Sequence, residues 1–256
     1  MTISLQQLTV LAIAGFHQAN AHYGFPYTVL DGVISKRWEY IRYVQALSRK
    51  STSSVSKSHS ASTTSLFAPN WDYSGESAMC GPNATLPLFP VKTLKVAAGS
   101  TIGFASAGQW REPPLDESQY FGDFNPSFYM YHSGPASAWL SKAPSNVDLN
   151  NYTGNGDWFK IDVKPASDGL HWDYNSSARI NIMNFTIPAA TPPGNYLLRA
   201  EHLNMENGGF YMTTEMYQAC AHVEITGSGT GTPGPVTHFP GAFDAKDPGR
   251  VNLWTS

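Results

Sequence analysis

Residues 216–225 read MYQACAHVEI. Laid out as an extended chain, Tyr217, Ala219, Ala221, Val223 and Ile225 share one side, while Gln218, Cys220, His222 and Glu224 share the other. A period of two with an apolar side describes a β-strand that turns one face to a core. Working outward, NYLLRAEHL (195–203) follows the turn Pro192-Pro193-Gly194 and predicts a second strand. LKVAAGSTIGF (94–104) predicts strand, turn, strand, and WEYIRYV (38–44) a further short strand. The segment 128–140 is rich in aromatics around His132-Ser133-Gly134-Pro135. No stretch of useful length repeats at the helical period, and no internal repeat is present. Composition agrees: charged residues are 14%, against a usual share of ~25%, with 22 Gly and 18 Pro among 256 residues. The expected architecture is an all-β sandwich with long loops and little helix, of a length that one domain can fill.

The start of the chain points to the compartment. LTVLAIAGF (8–16) is too short for the ~20 apolar residues of a membrane span and leads to Ala19-Asn20-Ala21, an A-x-A cleavage site. Residues 1–21 are therefore expected to be a signal peptide, although no Lys or Arg precedes the apolar run, and His22 to begin a secreted, extracellular domain over 22–256. In that compartment the two cysteines, Cys80 and Cys220, suggest a disulfide. The sequons at Asn83, Asn151, Asn175 and Asn184 suit the same route. Residues 48–65 are rich in Ser and Thr and predict a long surface loop. A net charge of −3 gives no basic stripe for a nucleic acid, and no later segment is long enough to enter a membrane.

Two features carry chemistry. Cleavage after Ala21 gives His22 a free α-amine beside its imidazole, so one residue offers two nitrogen ligands. A second imidazole would complete a planar set that favours Cu(II). The alternative is that His22 merely follows a cleavage site. Glu215 lies on the same side of the strand as Tyr217, where an unpartnered carboxylate is costly. It either lines a polar or metal-proximal pocket with the Tyr217 hydroxyl, or sits at a strand end and reaches water.

The opening HYGFP (22–26), then WEYIR (38–42), AAGSTIGF (97–104), YHSGPASAWLSKAP (131–144), GNGDWFKI (154–161), FTIPAATPPGNYLLRAEHL (185–203), EMYQACAHVEITG (215–227) and FPGAFDAKDPG (239–249) follow one another in order. Together they resemble the fungal lytic polysaccharide monooxygenases of auxiliary activity family 9, formerly glycoside hydrolase family 61. The resemblance implies an immunoglobulin-like antiparallel β-sandwich with a flat copper-bearing face. It implies one copper ion held by His22 and His132, with Tyr217 as axial ligand, and a Cys80–Cys220 disulfide. The implied reaction is oxidative cleavage of cellulose or a related β-1,4-glucan at C1 or C4, using O2 or H2O2 and an external electron donor, by a monomer. Trp254, after the DPG motif, becomes a candidate sugar-stacking residue, with a plain structural role as the alternative.

Two departures stand out. Where relatives carry a histidine in an EHIxxH pattern this chain reads Glu201-His202-Leu203-Asn204-Met205-Glu206, and where they carry Gln-x-Tyr it has Glu215-Met216-Tyr217. Ionised near copper, Glu206 and Glu215 would favour Cu(II) and replace groups that donate a hydrogen bond to bound oxygen, so Glu206, Glu215 and Tyr217 are the candidates for tuning catalysis. The alternatives are a secreted copper-binding protein with weak or lost oxygenase activity, and a sugar-binding sandwich in which the histidines are incidental. His171, His202, His222 and His238 are expected at the surface or in hydrogen bonds. No carboxylate pair is singled out for hydrolysis, and no G-x-S-x-G elbow occurs.

Overall fold

The structure, a computed structural model, describes residues 22–44, 69–108, 124–206 and 214–243. Residues 1–21, expected above to be a signal peptide, the Ser/Thr-rich stretch 48–65 and Trp254 lie outside the described residues. The described chain is β almost throughout. Its strands are β1 (Tyr23–Leu30), β2 (Val33–Ile34), β3 (Leu94–Ala97), β4 (Thr101–Gly108), β5 (Ala136–Lys142), β6 (Trp158–Lys164), β7 (Ile182–Thr186), β8 (Gly194–Asn204), β9 (Glu215–Thr226) and β10 (Val236–Thr237). Helix is confined there to one turn, α1 (Ser77–Cys80), and a 3-10 turn at Leu149–Asn151.

Two sheets pack face to face, one ordered β2-β1-β4-β7 and the other β10-β6-β5-β8-β9-β3. Neighbours run antiparallel except β3 and β9, which are parallel from Leu94 opposite Val223 to Ala97 opposite Thr226. The strand, turn and strand of 94–104 are thus not a hairpin. Gly99, at φ +90°, turns the chain from β3 in the larger sheet into β4 of the smaller one. L side chains rarely adopt that conformation.

β9 carries the core as its alternation predicts. Tyr217, Ala219, Ala221, Val223 and Ile225 are buried in the main cluster with Phe104, Met183 and Phe185 from the opposite sheet. The other side of β9 is not left to water. Cys220 joins a second cluster with Met79, Leu149, Tyr152 and Trp158, and the Cys80–Cys220 disulfide fixes α1 to the strand. Closing a loop of 140 residues stabilises the fold by up to ~5 kcal/mol in the chain-entropy account.

The predicted strand at 38–44 is not one. Only Ile41 bridges to β9, opposite Ala221, and Trp38 has a positive φ of 57°. The outer edge of β9 is covered piecemeal, by Asn70 opposite Met216, by Ile41 opposite Ala221, and by β3. What alternation in WEYIRYV encodes is a covering segment: Ile41 enters the main core and Arg42 the opposite layer, both fully buried. The Arg42 guanidinium donates to Thr85 O (2.6 Å), Leu149 O (2.8 Å), Tyr152 O (2.6 Å) and His222 Nε2 (2.9 Å).

One end of the sandwich gathers the residues singled out above. His22 immediately precedes β1, His132 lies in the loop entering β5, and β8 and β9 pair over eleven residues to Asn204 opposite Glu215. That register places the end of β8 and the start of β9 beside each other.

Candidate metal centre

The His132 loop is held by main-chain contacts. Leu203 N donates to Pro135 O (3.0 Å) and Met205 N to Ser133 O (2.9 Å), so residues 133–135 run alongside the end of β8. Gly134 has no room for a side chain there, because a Cβ would collide with the Leu203 carbonyl. This pairing sets Glu206 across from His132. Glu206 Oε2 lies 3.1 Å from His132 Nδ1, while Oε1 accepts from Ser133 N and Ser133 Oγ, both at 3.0 Å. Desolvation opposes its ionisation, but the hydrogen bonds from His132 and Ser133 hold its carboxyl below the usual range.

Tyr217 fills the inner side. Its ring stacks on Tyr23, with centroids 4.1 Å apart, and lies nearly parallel to the His132 ring at 5.7 Å. Its hydroxyl donates to Glu215 Oε2 (2.9 Å), which also accepts from Asn204 Nδ2 (2.8 Å). Of the two readings for Glu215, the structure favours the pocket: the carboxylate side chain is 15% exposed and meets Tyr217 instead of water. The same oxygen stands 3.7 Å from His132 Nε2. Burial, then the neighbouring Tyr23 and Glu215, push the Tyr217 phenol far up, so it stays neutral. His22 is half-buried beside this group. Desolvation lowers its pKa, the Glu215 charge opposes that shift, and His132 adds to it.

The two glutamates, read alike in sequence, are not equivalent. Glu206 meets Nδ1 of His132 and Glu215 faces Nε2, on opposite edges of one ring. Sequence reasoning passed over Asn204, whose side chain ties both: Oδ1 accepts from Glu206 N (3.0 Å) while Nδ2 donates to Glu215. Its place in register opposite Glu215 is the signal that could have found it. The remaining described histidines are hydrogen-bonded or ion-paired. His202 Nδ1 meets the Tyr23 hydroxyl at 2.6 Å, and His222 accepts from Arg42. His171 pairs with Asp168 and His238 with Asp157 at the surface. Among the sequons, Asn83, Asn151 and Asn184 are exposed. The Asn175 amide is engaged, donating to Trp172 O and accepting from Ser177 N.

Among the described residues no three His, Cys, Asp or Glu side chains group as a metal site, and both cysteines are bridged. The donors that do converge are two imidazoles and a phenol, to which a main-chain amine at His22 would add a third nitrogen. A nitrogen-rich set of this kind fits copper.

Fold and candidate donors together describe a β-sandwich with His22 and His132 at one end. Residues 22–256 match Auxiliary Activity family 9 (formerly GH61). The chain is 33% identical over 250 residues to AA9 family lytic polysaccharide monooxygenase H of Malbranchea cinnamomea, covering 96% of this chain and 90% of that one. It is 32% identical to AA9 family lytic polysaccharide monooxygenase C of Emericella nidulans, covering 92% and 86%. Among solved structures, CvAA9A superposes with a TM-score of 0.63 at 20% identity, covering 92% of each chain. The chain belongs to Auxiliary Activity family 9. It is accordingly an oxidoreductase of the lytic polysaccharide monooxygenase class, which sets aside the non-catalytic sugar-binding reading.

Proposed function

We propose that the domain 22–256, released from residues 1–21 on secretion, holds one copper ion and cleaves cellulose or a related β-1,4-glucan oxidatively at C1, C4 or both. The observation that carries this reading is the convergence of His22, the first residue of the family match, with His132 and Tyr217 at one end of the sandwich. The His22 amine and imidazole and the His132 imidazole would hold the metal, with the Tyr217 phenol beside them as a further candidate ligand. Bound copper would supply one-electron chemistry toward O2 or H2O2, with an external electron donor, and lead to hydrogen removal from the sugar. Tyr217, stacked on Tyr23 and tied to Glu215, keeps a neutral phenol in place and excludes water from behind the site. We place the protein outside the cell as a monomer, with Asn83, Asn151, Asn175 and Asn184 as candidate glycosylation sites and Trp254 as a sugar-stacking candidate.

The test uses protein beginning at His22, loaded with copper, incubated with amorphous cellulose and ascorbate under air. Mass spectrometry should find oligosaccharides with aldonic-acid or C4-keto masses that vanish without copper or reductant. Extending the N-terminus by one residue should remove tight copper binding, because the chelating amine becomes a peptide nitrogen. Equal copper affinity with and without that extension would sink the assignment.

A second reading keeps copper but weakens turnover. One observation favours it: Glu215 Oε2 is filled by donors from Tyr217 and Asn204, so an ionised carboxylate offers that side an acceptor and no donor. Copper binding without oxidised sugar from cellulose or other glucans would support it.

A further inference from the structure

We infer that Glu206 is a positioning residue for the metal: its carboxylate holds His132 in the Nδ1–H tautomer and so aims the Nε2 lone pair at the centre. The inference rests on the proposed copper reading and concerns a residue that departs from the family pattern quoted above. An ionised carboxylate only accepts, so the 3.1 Å contact between Glu206 Oε2 and His132 Nδ1 requires the proton on Nδ1. In the neutral ring the other nitrogen, Nε2, then carries the lone pair that a metal needs. Glu215 does not compete for this proton. At 3.7 Å from Nε2 it lies beyond hydrogen-bond range, and the oxygen concerned already takes two donors.

The carboxylate is itself fixed. Oε1 is held by Ser133 N and Ser133 Oγ, and the Glu206 main chain by Asn204 Oδ1. The resulting chain, from Ser133 through Glu206 to His132, is a carboxylate–histidine pair of the kind that orients metal-binding imidazoles and raises their basicity.

Two substitutions separate this role from simple support of the His132 loop. In Glu206→Gln the single amide oxygen stays with the two Ser133 donors, and the NH2 group turns to His132 Nδ1. The ring must then accept at Nδ1 and carry its proton on Nε2, the nitrogen that should bind metal. Glu206→Ala removes the bias without reversing it. Nitrogen-15 NMR of the metal-free protein should show His132 as the Nδ1–H tautomer in the parent, mixed in the Ala variant, and Nε2–H in the Gln variant. Copper affinity by calorimetry should fall about 10–100-fold in the Ala variant and at least as far in the Gln variant. The Cu(II) electron paramagnetic resonance spectrum should change in both.

A loop-supporting role predicts the reverse order, with Gln tolerated and Ala harmful. That order, or an unchanged tautomer in both variants, would overturn the inference. The copper reading fails separately: the parent would bind copper equally with and without an N-terminal extension, while the metal-free tautomer measurement would still decide what Glu206 does to His132.

Discussion

His132 and His222 lie on two sides of the same molecule, and each ring is gripped by a charged side chain, yet the grips have opposite sign. His222, on β9, is fully buried and takes the Arg42 Nε–H on its Nε2, so a cation occupies its lone pair. His132, at the end of the sandwich that holds the candidate metal centre, has Nδ1 3.1 Å from the Glu206 carboxylate, the contact inferred above to keep the proton on Nδ1 and the lone pair on Nε2. Burial alone therefore does not separate a structural histidine from a candidate ligand. The sign of the partner does, because a guanidinium can only donate and a carboxylate only accept.

The comparison is broken most forcefully at Arg42. This side chain is fully buried and held by main-chain carbonyls and an imidazole; burial pushes its pKa down to about 10, still charged at neutral pH. Arg42→Met would take a guanidinium donor from the oxygens of Thr85, Leu149 and Tyr152 in the layer over β9, of which the Leu149 oxygen keeps the Tyr152 N–H. Stability should fall by roughly 2–5 kcal/mol, at about 1–3 kcal/mol for each buried acceptor left without a donor. Urea unfolding would measure it. If the structural and metal ends are separate, the fraction that remains folded should bind copper with parent affinity.

A smaller effect sharpens the same contrast through pH. Desolvation, then the Arg42 charge, lowers the pKa of His222 to about 3, against an unfolded value near 6.5. The folded state therefore holds fewer protons here than the unfolded one. The contribution of this neutral ring is fully present above about pH 6.5 and is lost as pH falls through the window down to about 3. The slope is at most ~1.4 kcal/mol per pH unit. In His222→Gln, where the amide oxygen can still accept from Arg42, unfolding followed from pH 7 to 4 should lose that much of its slope. An unchanged slope would place the acid sensitivity elsewhere.

These two regions were not equally legible in sequence. Alternation along 216–225 located β9 and its core face, because a period of two reports side-chain polarity directly. It could not report what lies over the polar face, since α1, Arg42 and the 149–152 turn arrive from distant parts of the chain. Arg42 was invisible as a core residue for the same reason: a charged side chain in WEYIRYV is buried only because its carbonyl partners come from segments 43–110 residues away. At the other end, His22, His132 and Tyr217 were legible from motif order. Which edge of His132 each glutamate would meet was not, because it depends on residues 133–135 pairing with the end of β8.

The smallest expected effect concerns Glu215, the carboxylate facing Nε2. In Glu215→Gln one amide oxygen can still accept from both Asn204 Nδ2 and Tyr217 OH, whose present partner is a single oxygen, Oε2. The NH2 group then becomes available where the parent presents only an acceptor. Because Glu206 and not Glu215 holds the His132 proton, copper affinity should change little. The yield of oxidised oligosaccharide, however, should rise by up to about tenfold, the effect of one added hydrogen bond worth ~1.4 kcal/mol in the rate-limiting step. Product quantification with the parent and variant at equal copper loading tests this. A rise would identify Glu215 as what restrains turnover in this chain. An unchanged yield would mean that the missing donor is not limiting, and the weak-turnover reading would lose the one observation that favours it.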